Sequence, residues 1–536
     1  MGFSRQPKRA RRQTTIVAPK FYYLPDDCWE HVFKFFIGDY NNNSPYFQSL
    51  SLVSKQFLSI TNRFIFSLKA YNRGNPDLGG FLDRLFHRFT NLTSLDLTHY
   101  SCCDLDALLC QISRFPLKLT SLDLSHLSTI PTIGLRAFCK NITTLTSLKC
   151  SNMKFINSSD LFLIAECFPL LEELDMSHPK KSKNCSNFCN GVETLSLALF
   201  RLNKINLSGH DYINDKSLFH LFKNCKLLQE VIMFDCNHIS NDGIASALCE
   251  RPTLRSLSFT TTFESGNLAM LFALVRKYPS LSEIRMEYTF KSGYGIDNSI
   301  SSMGSVACPQ LKSLRLARYS WLRDENIKMF TSVFPNLQML DLNECDDISE
   351  EGIFHVLRRC GNIRHLNLAH CFRVKLIGLN FEVPNLEVLN LSYTSVDDET
   401  LYVISKNCRG LLKLVLKHCH NVTQKGVKHV IENCTKLREI NLWFCDIVHA
   451  SIVDNMVFSR PSLRKIVVPS SLYSYLFYRR RRELLLRYGC LVCHWNALLK
   501  LKLWNVRCFL FSDLLLWELT SFFYVYLFIS RCIGAW

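Results

Sequence analysis

Residues 92–97 read Leu-Thr-Ser-Leu-Asp-Leu, and this L-x-x-L-x-L pattern recurs fifteen times along the chain. The first positions of the copies are Leu92, Leu119, Leu145, Leu171, Leu202, Leu228, Leu254, Leu281, Leu311, Leu337, Ile363, Leu386, Leu411, Leu437 and Leu463. Leu95 and Leu97 are two residues apart, so they point to the same side of a short strand. The second half of each unit, as in residues 242–248, has apolar residues at helical spacing.

A single strand and helix cannot bury an apolar face, whereas stacked copies share one continuous core. The repeat therefore predicts an α/β solenoid, with a curved parallel sheet inside and helices outside. Ten of the 24 cysteines keep register with it: Cys225, Cys236, Cys308, Cys345, Cys360, Cys371, Cys408, Cys419, Cys434 and Cys445. Such a register is typical of small buried residues in stacked turns rather than of metal ligands.

The net charge of +17 lies mainly at the two ends, because residues 1–20 and 479–536 each contribute +6. The repeats are nearly balanced, so we predict no nucleic-acid partner. Residues 5–12 resemble a basic nuclear-import cluster, although a solvated tail explains them equally. The N-terminus lacks an apolar signal segment, so we expect an intracellular location with free thiols, nuclear or cytoplasmic.

The repeats resemble the cysteine-containing class of leucine-rich repeats found in F-box proteins, including plant ubiquitin-ligase substrate receptors. Residues 22–68 resemble the F-box itself, with Leu-Pro at 24–25, Val-Phe at 32–33 and Leu-x-x-Val-Ser-Lys-x-Phe at 50–57. This resemblance implies three helices, the last reaching Leu68, that bind a Skp-type adaptor and through it cullin and RING subunits. The implied contact residues are Leu24, Pro25, Val32, Phe33, Leu52, Val53 and Phe57.

The concave face is expected to bind a target protein through the variable residue between the last two apolar strand positions. Arg285 and Arg315 occupy this position in adjacent repeats, so both guanidinium groups could serve one anionic group. Arg318, Trp321, Phe234 and Trp443 complete the candidate set, because arginine and aromatic residues are common hot spots. The alternatives are neutralisation of the arginines by nearby glutamates and burial of Phe234 and Trp443 against the next turn.

No hydrolase elbow or phosphate-binding loop occurs in the sequence, so we predict neither catalysis nor a cofactor. The expected organisation is a basic tail (1–20), an F-box (21–68), a linker or cap (69–90), the solenoid (91–470) and an apolar extension (471–536). Within the extension, residues 508–530 are long enough to span a bilayer. A poorly folded extension or translated non-coding sequence are the other interpretations.

The sequence thus predicts a non-catalytic substrate adaptor of an SCF-type ubiquitin ligase. The alternative is a repeat scaffold without ligase function, with or without a membrane anchor at residues 508–530.

Overall fold

The computed structural model describes residues 24–37, 50–71, 78–100, 104–180, 188–261, 268–288, 306–449, 451–472 and 490–493. These residues fall into two compact units, divided between Ile65 and Phe66. The basic tail and residues 508–530 lie outside the described residues. Within the described ranges, no helix combines the length and the apolar character that crossing a bilayer requires.

The first unit contains helices α1 (Asp26–Ile37) and α2 (Lys55–Arg63). Ser54 caps α2, since its Oγ accepts the Phe57 N–H at 3.1 Å. The rings of Trp29, Phe33 and Phe57 pack together, with centroids 4.6 to 6.3 Å apart. The prediction that the last helix reaches Leu68 is wrong. It ends at Arg63, and the following residues pair with a neighbouring strand instead.

In the second unit, the described residues form one parallel sheet of seventeen strands. The strands are β1 (Ser67–Tyr71), β2 (Ser94–His99), β3 (Ser121–Asp123), β4 (Ser147–Lys149), β5 (Glu173–Asp175), β6 (Lys204–Asn206), β7 (Glu230–Met233), β8 (Ser256–Thr261), β9 (Glu283–Tyr288), β10 (Ser313–Ala317), β11 (Met339–Asp341), β12 (His365–Asn367), β13 (Val388–Asn390), β14 (Lys413–Val415), β15 (Glu439–Asn441), β16 (Lys465–Val467) and β17 (Leu491–Cys493). Each strand pairs with the next one along the chain.

Helices follow most of the strands. They are α3 (Leu78–Arg88), α4 (Leu105–Ile112), α5 (Thr132–Asn141), α6 (Ser158–Cys167), α7 (Phe188–Ala198), α8 (Asp215–Asn224), α9 (Asn241–Glu250), α10 (Leu268–Lys277), α11 (Asp324–Val333), α12 (Glu350–Arg359), α13 (Asp398–Asn407), α14 (Gln424–Asn433) and α15 (Ser451–Ser459). The chain between β12 and β13, all of it described, has no helix.

The repeated leucines lie in register across the sheet, as where Leu95 pairs with Leu122. Leu92, Leu95 and Leu97 are fully buried between the strands and the helices. The intervening residues, such as Asp96, remain half-exposed on the other side of the sheet. The predicted α/β leucine-rich-repeat solenoid is therefore confirmed.

Neighbouring helices are joined by a recurring polar contact. The Asp398 carboxylate accepts the Thr423 N–H at 2.8 Å and the Thr423 hydroxyl at 2.5 Å, and Thr423 is the N-cap of the next helix. Gly426 leaves room for the carboxylate, because a Cβ there would lie 2.4 Å from Asp398 Oδ1. The same arrangement recurs with two other sets of aspartate, serine and glycine: Asp215, Ser240, Gly243 and Asp324, Ser349, Gly352.

Candidate functional site

The two helices of the first unit begin close together. Gln56 Nε2, near the start of α2, donates to Asp26 Oδ1 at 2.8 Å and to the Leu24 carbonyl at 3.4 Å, at the start of α1. Arg63 binds Asp26 at 3.0 Å and Glu30 at 2.7 Å. Hydrogen bonds from Gln56 and Arg63 lower the pKa of Asp26. This polar network fixes the helices relative to one another and places Leu24 beside the chain that enters α2.

The predicted adaptor-binding residues divide into two groups. Four aliphatic side chains are exposed: Leu24 (39%), Val32 (41%), Leu52 (65%) and Val53 (38%). Pro25 is exposed as well. Phe33 and Phe57 are instead buried, at 1% and 6% exposure. The first group is available to a partner, whereas the two phenylalanines support the helices that carry it.

The concave face of the solenoid carries a row of side chains between the last two apolar positions of each strand, here called the central row. Eight members use Oδ1 to accept the backbone N–H two residues further on, at 2.9 to 3.2 Å: Asp96, Asp123, Asp175, Asn206, Asp341, Asn367, Asn390 and Asn441. This bond stabilises the turn after the strand. At these positions the polar residue therefore has a structural role.

Strands β7 to β10 depart from that rule. Their central-row residues are Ile232, Ser258, Arg285 and Arg315, and among the described contacts none of these side chains accepts the N–H two residues on. Arg285 pairs in register with Ser258 on one side and with Arg315 on the other. The two predicted arginines are thus adjacent on a stretch of four strands where the structural bond is missing.

The two arginines have different surroundings. The Arg285 guanidinium forms an ion pair with Glu287, and its Cζ lies 4.6 Å from the centre of the Phe234 ring. Phe234 itself is largely buried, at 8% exposure. Arg315 is half-buried and, within the part of the chain that the structure describes, forms no ion pair or side-chain hydrogen bond.

The other predicted target-binding residues follow strands β10 and β15. Arg318 is exposed and its Nε lies 3.4 Å from Glu344. Trp321 packs edge-on against the buried Tyr319 ring, with centroids 5.8 Å apart. Trp443 follows β15, five strands beyond β10; it is 7% exposed and packs against Val467. The structure therefore brings together Arg285, Arg315 and Phe234, and separates Trp443 from them.

Sequence reasoning missed a stack of aromatic rings beside the C-terminal strands. The rings of His370, Tyr393, His418 and Phe444 lie face to face, with successive centroids 4.0, 4.2 and 4.1 Å apart. Each of these residues has a positive φ, between 57° and 62°. Each also lies two residues after the last strand leucine of its repeat. That shared position was a signal available in the sequence.

The in-register cysteines are buried, as the sequence predicts. Five of them donate from Sγ to a carbonyl of the preceding repeat at 2.9 to 3.2 Å: Cys236, Cys345, Cys371, Cys419 and Cys445. Burial raises the pKa of their thiols, to about 12 for Cys236 and Cys371 and about 11 for Cys419. In the described ranges, no group of histidine, cysteine or acidic residues is arranged to hold a metal ion.

Together, the parallel sheet, the in-register leucines and the outer helices define the second unit as a leucine-rich-repeat solenoid. No family model matches the chain. Its curated relatives are F-box/LRR-repeat proteins at modest identity. It is 26% identical over 176 residues to "F-box/LRR-repeat protein 4" of Bos taurus, a match of 31% of this chain and 28% of that protein.

A plant relative, "Putative F-box/LRR-repeat protein 23" of Arabidopsis thaliana, is 28% identical over 145 residues, which are 26% of this chain and 31% of that protein. The matches thus span only about a third of the length of these relatives. Among solved structures, the yeast Rad7 and Elc1 complex is similar at 17% identity and a TM-score of 0.44, over 58% of this chain and 79% of that one.

Proposed function

We propose that this chain is a non-catalytic substrate adaptor of an SCF-type ubiquitin ligase. Its first unit binds a Skp-type adaptor, which connects it to the cullin and RING subunits. Its solenoid binds a target protein, which is ubiquitinated and then degraded. The names of the two curated relatives support the presence of both parts. We propose that it works in the nucleus or the cytoplasm.

The exposed aliphatic residues of the first unit are the observation that carries this proposal. Leu52 exposes 65% of its surface, although it directly precedes the well-packed helix α2. Complete burial of a leucine or valine side chain contributes about 1.5–3 kcal/mol relative to full exposure. Since Leu24, Val32, Leu52 and Val53 are partly covered already, each would contribute a fraction of that on binding. Together they supply the apolar part of the surface that we propose binds the adaptor.

The test is capture of a purified Skp-type adaptor by the full chain and by a Leu52→Asp/Val53→Asp variant. We expect capture by the wild type and loss of at least about 90% of it with the variant, because two charges would be desolvated at the interface. Leu227→Asp is the matched control, since Leu227 is an equally apolar, 55% exposed residue of the solenoid. It should not affect capture.

Buried positions are unsuitable for this test. Phe33→Asp would place a charge in the core of the first unit, so loss of binding would only report unfolding. Circular dichroism and hydrogen exchange over residues 26–37 and 55–63 should show that the Leu52→Asp/Val53→Asp variant keeps its helices. If the folded wild type captures no adaptor, the ligase proposal is wrong and a repeat scaffold without ligase function becomes the better interpretation.

A further inference from the structure

The chemistry of the target follows from how β7 to β10 differ from the eight strands whose central-row side chain binds its own turn, provided that the solenoid is the target-binding part. In eight repeats the central-row side chain is occupied by its own turn, as for Asp341, which accepts the Asn343 N–H at 3.1 Å. Along β7 to β10 this internal bond is lost, so the central-row side chains there are available to another molecule.

Most charged groups in this region are already paired. Glu230 binds Lys204 at 2.9 Å, and Arg318 lies 3.4 Å from Glu344. Arg285 is held between Glu287 and the Phe234 ring. The Asp341 carboxylate, on the strand next to Arg315, also accepts Asn367 Nδ2 at 2.8 Å, and no ion pair with Arg315 forms.

Of the two central-row arginines in this region, Arg315 is therefore the one whose guanidinium has no described ion pair. Its guanidinium offers five N–H donors in a fixed plane, a geometry that matches two oxygens of one anionic group. It is half-buried beside the equally half-buried Arg285, so a bound anion would be partly shielded from solvent. We propose that the surface formed by β9 and β10 binds an acidic segment of the target protein, with an Asp or Glu carboxylate on the Arg315 guanidinium.

A carboxylate fits this surface better than a phosphoryl group. Glu283 and Glu287 lie on β9, and Asp341 lies on β11 in register with Arg315. Since Arg285 and Arg315 carry +2 and these three carboxylates carry −3, the net local charge is −1, and it opposes a group with nearly two negative charges about twice as strongly as a group with one. The local charge balance therefore favours a singly charged side chain.

The test uses the full chain as bait for a phage-displayed library of random dodecapeptides. We expect the recovered peptides to share an acidic residue, and a synthetic copy to bind at least about tenfold more weakly to Arg315→Gln, since charged hydrogen bonds are lost. Arg438→Gln is the matched control, because Arg438 is an exposed arginine of another repeat. It should leave the affinity unchanged.

A peptide with phosphoserine in place of the shared acidic residue should bind more weakly than the original. The proposal is overturned if no peptide binds, if the recovered peptides share no acidic residue, if Arg315→Gln binds them equally well, or if the phosphoserine peptide binds more tightly. Capture of the Skp-type adaptor by Arg315→Gln should be normal. Failure of peptide binding with normal adaptor capture therefore refutes only this inference, and the reverse result refutes only the ligase proposal.

Discussion

Acidification should weaken the solenoid through His210, a fully buried histidine at 1% exposure. Its Nε2–H donates a hydrogen bond, at 2.7 Å, to the carbonyl of Met176, which lies in the preceding repeat. Burial lowers the pKa of His210 to about 4, and the bond to Met176 only partly opposes that shift. In the unfolded chain the pKa returns to about 6.5, so the unfolded state binds the proton more tightly.

The sign and size of this loss of stability follow from the linkage between protonation and folding. A histidine with a depressed folded pKa contributes stability that is complete above pH 6.5 and is lost as the pH falls towards 4. A shift of about 2.5 pKa units corresponds to about 3 kcal/mol in full, of which about 2 kcal/mol is lost by pH 5. Burial also lowers the pKa values of His355 and His418, so the whole protein should lose more than His210 alone accounts for.

The measurement compares wild type with His210→Gln, which removes the titrating group and keeps a neutral N–H donor. Urea unfolding at pH 7.5 and pH 5.0 gives the free energy of unfolding, and hydrogen exchange over residues 204–224 reports the local effect. The variant should be less stable than wild type at pH 7.5, because a glutamine side chain packs imperfectly in the space that the His210 ring fills. Between pH 7.5 and 5.0 it should lose about 2 kcal/mol less than wild type. Equal losses in the two proteins would refute the reasoning.

Two further predictions concern other parts of the solenoid. Gly426→Ala should destabilise it by about 1–3 kcal/mol in urea unfolding, because the new Cβ would lie 2.4 Å from Asp398 Oδ1, whereas Gly361→Ala meets nothing within 4 Å and should change stability little. Cys249 should react with iodoacetamide faster than the buried cysteines, because hydrogen bonds from Tyr278 and Lys277 lower its pKa. Mass spectrometry after limited labelling should show this preference for Cys249, and Lys277→Gln should reduce it. Equal labelling of Cys249 and the buried cysteines would contradict the lowered pKa of Cys249.

The repeat was predictable because one physical requirement, a shared core, repeats along the chain. Replacing one of the repeated leucines by a smaller residue would leave a cavity against the repeats on both sides. The same pattern of leucines therefore recurs in each repeat of the sequence. β1 was not expected as a strand because its sequence, Ser-Leu-Lys-Ala-Tyr, lacks the full pattern. Only its pairing with β2 shows that it begins the sheet.

Surface roles were harder to predict, because the sequence does not show which polar groups satisfy one another. Arg285 and Arg315 are identical residues at the same repeat position, yet only Arg285 meets a glutamate and an aromatic ring. Phe33 and Leu52 are both apolar residues of one short motif, yet one is buried and the other exposed. The Arg285–Glu287 pair is local, but the contact of Arg285 with Phe234 and the packing of Phe33 on Phe57 join residues far apart along the chain.

The central row also indicates where binding residues should be sought on this solenoid. An aspartate or asparagine that accepts its own turn N–H is already occupied, and its substitution would disturb the turn as well as any partner. A loss of binding after mutation of Asp175 or Asn390 would therefore be ambiguous. Arg315 and Val415 lack that internal bond, so their substitution changes the surface with little effect on the turn. The clearest map of the target interface should therefore come from the repeats in which the structural polar residue has been replaced.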